Sequence, residues 1–520
     1  MKYTDGGMKK IKLFIILAAV IIPAVCFGYW IFGNYPKLFS NQEKITALCP
    51  DCNVVLIDLD VLRADDLPCY GYSRNTAPNL CGFAKDSWLY LNNYSQSFWT
   101  LPSMISIVTS MLPSVHNIRT DTGDTLPLYL KTLAETLKNT GYRTYYFGPT
   151  NNAELNENNG GLRGYDEIIP HNENMWQIKL EAASKIKRPF FMHLYASTAH
   201  LPYLIDRNEK LIADLSKPSG LPLYRDEFQD IYRKYLTGHL REIFKPETIK
   251  NHPEIFAISE PDRSWKIADY FDYLNSIADR DNRLVGWDVY YNAYLQNIDF
   301  KDATQAAYLR MLYDTKIRNL DQGKQAFFEF LADFSDQTNT VIIIESDHGE
   351  EFGEHGQFSH QSSPYNELYR TPLIIRIPGQ IPKTVKTISQ NLDIFPTILD
   401  IIGKPIPLEL QGQSLVSANY LKNTVKNRYA FGISANSMTV QDLNWKIIFS
   451  SSKPAKSVEI YNLAEDPGEK NMLTGQEYEN IVTEFNRTVN LLKDSYQQLK
   501  SYKSPDLLEN QRILIKEGYF

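Results

Sequence analysis

The run NVVLIDLD, Asn53–Asp60, decides the fold. Val54 to Ile57 are apolar without a break, and two of the four are Val. A short β-branched stretch of this kind is a strand covered on both faces, not one lying half in water. It runs from Asn53 to Asp58, and a second carboxylate, Asp60, follows just beyond it. Asp58 and Asp60 share one face by the two-residue period of a strand. An apolar strand ending in buried-side acids suggests a sheet whose C-terminal edge carries chemistry.

Similar runs recur along the chain. RTYYFG begins at Arg143, PFFMHLY spans Pro189–Tyr195, TVIIIES leads up to Asp347, and TPLIIRI begins at Thr371. Helical patterns separate them, one from Leu126 to Lys138 and another from Tyr308 to Phe334. This alternation predicts an α/β fold with a parallel sheet between helices. In such sheets ligands bind beyond the C-terminal strand ends. Residues 205–303 are polar, Tyr-rich and mostly helical in pattern, and read as an insertion over that edge. After Lys426 the pattern turns β-rich (YAFGIS, TVQDLNWKIIFS, SVEIYNL), which predicts a small antiparallel sheet. The expected organisation is an N-terminal segment 1–33, a linker 34–52, a catalytic domain 53–425 containing the insertion, and a C-terminal subdomain 426–520.

The N-terminal segment is unlike the rest. Lys9, Lys10 and Lys12 precede an uncharged apolar run, Leu13–Phe32, long enough to span a bilayer as a helix. The lysine flank predicts a single-pass anchor with an exported, periplasmic or extracellular body, or a secreted one if the segment is a cleaved signal peptide. Cys49, Cys52, Cys69 and Cys81 read as structural disulfides, with the pairing open. A net charge of -7 over 520 residues argues against nucleic acid as a partner.

The strand ends carry the candidate chemistry. Asp60 follows the first strand, and Asp347 and His348 follow TVIIIES in SDHGEEFGEHG. Two carboxylates and an imidazole from two strand ends are a set that can hold one divalent cation. In WTLPSMISIVTS, Trp99–Ser110, Thr100 stands two residues before Pro102 at the start of a helical run. It suits a helix cap. It also suits a nucleophile, because a helix N-terminus attracts anions and a nearby cation can acidify the hydroxyl.

NVVLIDLDVLRADDLPCYGYSRNTAPNL from Asn53 resembles the opening motif of sulfatases, and SDHGEEFGEHGQFSHQSSPYNELYRTPLIIRIPG from Ser346 resembles their second metal motif. FMHLYASTAHLPY, LDIFPTILDIIGKPIP and EIYNLAEDPGEKNML are similar to further family segments in the same order. The resemblance, to the sulfatase branch of the alkaline phosphatase superfamily, covers roughly Cys52 to Leu473. It implies an alkaline-phosphatase-like central, mostly parallel sheet sandwiched by helices, with a small C-terminal antiparallel sheet. It makes Asp60, Asp347 and His348 metal ligands and puts Thr100 at the nucleophile, which also touches the metal. His200 matches a histidine that contacts the transferring group, and His360 a Lys or His that helps the leaving group. His193, His355 and Asn151 are weaker candidates. His116, His171, His239 and His252 are packing residues.

Two positions depart from the family pattern. Sulfatases carry C/S-x-P-S-R and oxidise the Cys or Ser to formylglycine, whereas this chain has T-L-P-S-M. Thr cannot give that aldehyde, because its Cβ bears a methyl group, and Met104 replaces the Arg. Direct attack by the Thr100 oxygen remains, as in Thr-nucleophile relatives such as nucleotide phosphodiesterases and phosphoethanolamine transferases. Ala196 stands where the two-zinc branch has a further Asp, so one metal is expected, zinc or manganese ahead of calcium or magnesium. The leading expectation is a hydrolase of phosphate esters, with sulfate esters second, on a substrate that can be lipid- or glycan-linked. The alternatives are a phosphoethanolamine or phosphoglycerol transferase acting on envelope lipid or glycan, and a non-catalytic binding protein on the same fold.

Overall fold

The computed structural model describes residues 47–474, apart from short gaps and the longer stretches 244–249, 252–291, 422–427 and 451–457. Asn53–Asp60 forms β1, with every residue after Asn53 buried. Asp60 is thus the last residue of the strand instead of lying past it. β1 is the centre of a nine-stranded sheet. Its other members are β2 (Trp88–Tyr94), β3 (Arg143–Phe147), β4 (Glu167–Ile169), β5 (Phe190–Ser197) and β6 (Thr340–Glu345). After a two-stranded hairpin, β7 (Glu351–Phe352) and β8 (Phe358–Ser359), come β9 (Arg370–Arg376), β10 (Lys383–Val385) and β11 (Ser389–Gln390). The order is β10-β2-β9-β6-β1-β5-β3-β4, with β11 also on β2. β1 runs parallel to both β5 and β6, and β9 is antiparallel to its two neighbours. The TPLIIRI run is therefore the reversed strand in an otherwise parallel sheet.

The two faces of β1 feed two cores. Val55, Ile57 and Leu59 pack on one side with Met192, Leu194, Ile342 and Ile344. Val54 and Leu56 pack on the other with Phe191, Ile343 and Ile375. This double burial is what the unbroken apolar run encodes.

Several elements differ from their sequence reading. The helix expected over Leu126–Lys138 is only Leu133–Asn139, because Thr132 caps it by accepting from the Glu135 amide while Glu135 accepts from the Thr132 amide. Tyr308–Phe334 is two helices, Ala303–Gly323 and Gln325–Thr338, broken at Lys324 beside Gly323. TVQDLNWKIIFS is a hairpin: the Asp442 carboxylate accepts from the amides of Asn444 and Trp445 and turns the chain. The resulting β12 (Ala430–Ile433), β13 (Ser437–Gln441), β14 (Trp445–Ser450) and β15 (Val458–Asn462) form the C-terminal antiparallel sheet. Within the insertion a helix spans Arg225–Ile243. Disulfides join Cys49 to Cys52 and Cys69 to Cys81.

The expectation of a single-pass membrane protein with an exported body is corrected. Among the described residues no helix is long and apolar enough to cross a membrane. The Leu13–Phe32 run that prompted it lies outside the described residues.

Candidate active site

The C-terminal ends of β1 and β6 are tied together before any side chain is considered as a ligand. Directly after Asp60, Val61 takes a φ of 60°, a left-handed conformation unfavourable for a β-branched residue. It is held there because its amide donates to Asp347 Oδ1 at 3.2 Å and its carbonyl accepts from the Tyr313 hydroxyl at 2.8 Å. Strain of this kind persists where the surroundings fix it, commonly at functional sites. The Leu62 amide donates to Ser346 Oγ at 2.9 Å, a second tie between the same two loops. After His348 the chain passes so close to the Glu367 carbonyl that a Cβ on Gly349 would sit 2.0 Å from that oxygen. Only glycine fits there.

These ties bring Asp60, Asp347 and His348 together, with one ligand atom of each within 4.8 Å of the others. His348 Nε2 lies 3.5 Å from Asp347 Oδ2 and 3.9 Å from Asp60 Oδ1. Both are too long for hydrogen bonds and close to the spacing of neighbouring ligands round one small cation. His348 Nδ1 is 2.9 Å from the Gly349 carbonyl, which can only accept. The ring proton therefore sits on Nδ1, and Nε2 offers a lone pair into the cluster. Asp347 Oδ1 is occupied by the amides of Val61 and His348, while Oδ2 accepts no hydrogen bond. Burial and the charges of Glu345, Asp347 and Asp60 push the Asp58 carboxyl well above its usual range. Burial and Asp347 do the same to Asp60. Crowded buried acids, one oxygen without a donor and an imidazole with its lone pair turned inward fit a divalent cation.

Thr100 is the first residue of the helix Thr100–Thr109, whose N-cap is Trp99. Its hydroxyl makes no capping bond. Oγ1 instead lies 3.2 Å from His348 Nε2, at the edge of the cluster. The cap reading thus fails, and the hydroxyl is turned to His348. Met104 is fully buried one turn later.

His360 and His200 complete the group. The His360 ring is 4.6 Å from that of His348 and 5.0 Å from that of His200, centre to centre. Burial pushes His360 down to about 4 and, with the charge of His360, His200 down to about 3. All six residues singled out in the sequence therefore converge at the C-terminal strand ends. The weaker candidates do not. His193 is buried in β5 with Nδ1 2.9 Å from the Tyr165 hydroxyl. His355 stacks on Tyr365 and shares a hydrogen bond of 3.0 Å with the Glu469 carbonyl, joining the loop to the C-terminal segment. Asn151, His171 and His252 lie outside the described residues. His116 is packed, as expected, between Ser106 Oγ and the Ile118 amide.

Sequence reading missed three neighbours. Glu350 lies 2.9 Å from His360 Nδ1. Tyr195 stands beside Asp60 and holds its carboxyl lower than burial alone would. Lys316, from the Ala303–Gly323 helix, donates to the His200 carbonyl at 2.9 Å, and burial lowers its ammonium to about 8. Their signal was weak because each acts through a contact made only after folding.

Comparison with known proteins bears on the family and the fold. The sulfatase family model matches residues 52–404, and a model of the N-sulphoglucosamine sulphohydrolase C-terminal region matches 353–495. A delta 4,5-hexuronate-2-O-sulfatase of Bacteroides thetaiotaomicron is 22% identical over 481 residues, covering 87% of this chain and 92% of that protein. A solved structure in complex with its substrate D-glucosamine-2-N,6-O-disulfate aligns with a TM-score of 0.57 at 20% identity, over 87% of this chain and 99% of the other. The phosphonate monoester hydrolase of Agrobacterium radiobacter aligns with a TM-score of 0.59 at 17% identity, over 86% and 96%. With a family model running unbroken from β1 through the second metal motif, the chain belongs to the sulfatase family of metal-dependent ester hydrolases in the alkaline phosphatase superfamily.

Proposed function

We propose that this enzyme cleaves phosphate esters, with sulfate esters as the second class, by direct attack of the Thr100 oxygen and without formylglycine. The observation that carries the reading is the 3.2 Å separation between Thr100 Oγ1 and His348 Nε2 at the start of a helix. A threonine there cannot become an aldehyde, but it can form and release a phosphoryl ester. Glycan-linked esters are the favoured substrates. The relatives named for a hexuronate sulfate and a glucosamine disulfate support that class, and the phosphonate hydrolase supports displacement at phosphorus on this fold.

Asp60, Asp347 and His348 would hold one divalent cation, zinc or manganese ahead of calcium or magnesium because an imidazole is in the set. When bound, that cation supplies positive charge that acidifies the Thr100 hydroxyl and draws charge from the ester's non-bridging oxygens. The first amides of the Thr100–Thr109 helix face the same anion. His200, whose Nδ1 meets the Leu201 carbonyl at 2.9 Å and whose ring lies 5.0 Å from that of His360, would contact the transferring group. His360 serves the leaving oxygen.

The test is a panel of aryl phosphate, phosphodiester and sulfate esters run with the wild type and Thr100→Ala. Phosphorus esters are expected to turn over fastest, and the variant to lose activity on every ester. A variant that keeps the wild-type rate would remove the nucleophile from the account.

A further inference from the structure

The stretch GEEFGEHG, Gly349–Gly356, carries more acid and imidazole than the site above uses. Glu350 meets His360 Nδ1 at 2.9 Å and the Tyr203 hydroxyl at 2.6 Å, and Glu354 meets Arg63 Nη1 at 2.7 Å. Glu351 and His355 belong elsewhere. Adjacent side chains on extended backbone point to opposite sides, so Glu351, the first residue of β7, faces away from His360. It comes together with His355, from the turn of the β7–β8 hairpin, and Glu367, from the short helix Asn366–Tyr369. One ligand atom of each lies within 4.8 Å of the others.

Hydrogen bonds do not account for this group. Glu351 is inaccessible to solvent, Glu367 is 8% exposed and the His355 side chain 9%. Neither oxygen of Glu351 has a hydrogen-bond partner, and the same is true of Glu367 Oε2 and His355 Nδ1. Buried polar atoms left in this way are costly and rare. The buried Ser363 hydroxyl stands near enough to Glu351 to favour its charge. His355 Nε2 lies 3.0 Å from the Glu469 carbonyl, which can only accept, so the ring proton sits there. Nδ1 then turns a lone pair toward Glu367 Oε2, 3.6 Å away. That gap is too long for a hydrogen bond and close to the spacing of two ligands on one ion. Stacking on Tyr365, with ring centres 3.5 Å apart, holds the imidazole in this attitude.

Ion pairs do not account for it either. Lys446 Nζ is committed to Glu469 Oε1 at 2.6 Å and Asn366 Oδ1 at 3.0 Å. Arg63 is committed to Asp65, Glu354 and the Glu350 carbonyl. Among the described residues no Lys or Arg touches Glu351 or Glu367. Burial holds the Glu351 carboxyl well above its usual range, and burial with the charge of Glu469 holds Glu367 at about 8. A bound divalent cation would relieve both.

We propose that Glu351, His355 and Glu367 form a second divalent-cation site, separate from Asp60, Asp347 and His348, that takes zinc or manganese and braces the loop after β6. Two carboxylates with an imidazole suit those ions better than calcium, whose shell is oxygen alone. The ion's part is structural. It joins the hairpin to the helix Asn366–Tyr369, whose Glu367 carbonyl accepts from the Glu350 amide at 3.1 Å. His355 Nε2 and the Asn366 amide both reach Glu469, which ties in the C-terminal segment. Nothing in this site depends on Thr100.

The test uses the full chain, produced in medium supplemented with zinc or manganese and dialysed without chelator, and counts its metal by elemental analysis. Wild type is expected to carry about two ions per chain and Asp347→Asn about one. Glu351→Gln and His355→Gln should each fall to about one, and Asp347→Asn combined with Glu351→Gln to none. Chelator should lower the melting temperature of Asp347→Asn and leave that of the double variant unchanged. About one ion in wild type and none in Asp347→Asn would overturn the proposal and leave the cluster an ion pair of His355 with Glu367. So would about two ions in both Glu351→Gln and His355→Gln. The comparison of wild type with Asp347→Asn stands even if the other variants fail to fold. About one ion in each of those two, lost on adding Glu351→Gln, would support this site and remove the catalytic one.

Discussion

Thr100 owes its position to a helix whose start leaves its hydroxyl unused. Its hydroxyl spends no bond on capping and faces His348. Removing that hydroxyl by Thr100→Ala is expected to lower kcat/KM by at least about 10³-fold with little change in melting temperature. His116 is the opposite case, a histidine whose role ends in packing. Burial pushes it down from 6.5 to about 3. Between those values the unfolded chain binds a proton that the native state refuses, so stability falls as pH drops through that window. His116→Gln does not titrate. From pH 7 to pH 5 in denaturant titrations it should lose about 2 kcal/mol less than wild type. An unchanged slope would show that His116 is protonated in the fold. At this scale Asp60, Asp347 and His348 were legible, because acids and an imidazole at apolar strand ends have few structural uses. Glu350 and Tyr203 were not, because each touches a partner 10 or 147 residues away that no spacing rule connects.

Among the elements, β1 was read correctly because burial on both faces leaves an unbroken apolar run, and β6 for the same reason. β2, WLYLNNY, went unread because its burial is partial and its last third is polar. The helix over Leu126–Lys138 was over-extended because Pro127 and the Thr132–Glu135 capping box delay its start. Thr132→Ala should cost about 1 kcal/mol in denaturant unfolding with activity kept, since this cap is remote from the site. The loop after β6 is less forgiving. A methyl at Gly349 would meet the Glu367 carbonyl and move His348, its sequence neighbour. Gly349→Ala is expected to lose bound metal and activity together. Wild-type metal content in that variant would show that the loop can yield without moving the imidazole.

Among the described residues the largest scale is set by the nine-stranded sheet with a core on each face and by the smaller four-stranded sheet, which meets the loop after β6. That docking uses buried charge. Lys446 on β14 reaches Glu469 Oε1 at 2.6 Å, both side chains being inaccessible to solvent, and Glu469 Oε2 accepts from the Asn366 amide at 2.7 Å. Lys446→Met leaves Glu469 unpaired and should destabilise by about 3–5 kcal/mol, with part recovered on adding Glu469→Gln. The family and the sheet were legible from five ordered motifs. The substrate was not, because the polar and aromatic residues of 205–303 follow no sequence pattern that names a ligand. The central claim concerns the bond made during turnover, and trapping it is the most direct test. Enzyme quenched in acid while turning over an aryl phosphate should carry a phosphoryl group on the peptide containing Thr100, mapped to that residue by mass spectrometry. A phosphoryl group on another residue, or none on an enzyme that is turning over rapidly, would contradict the account.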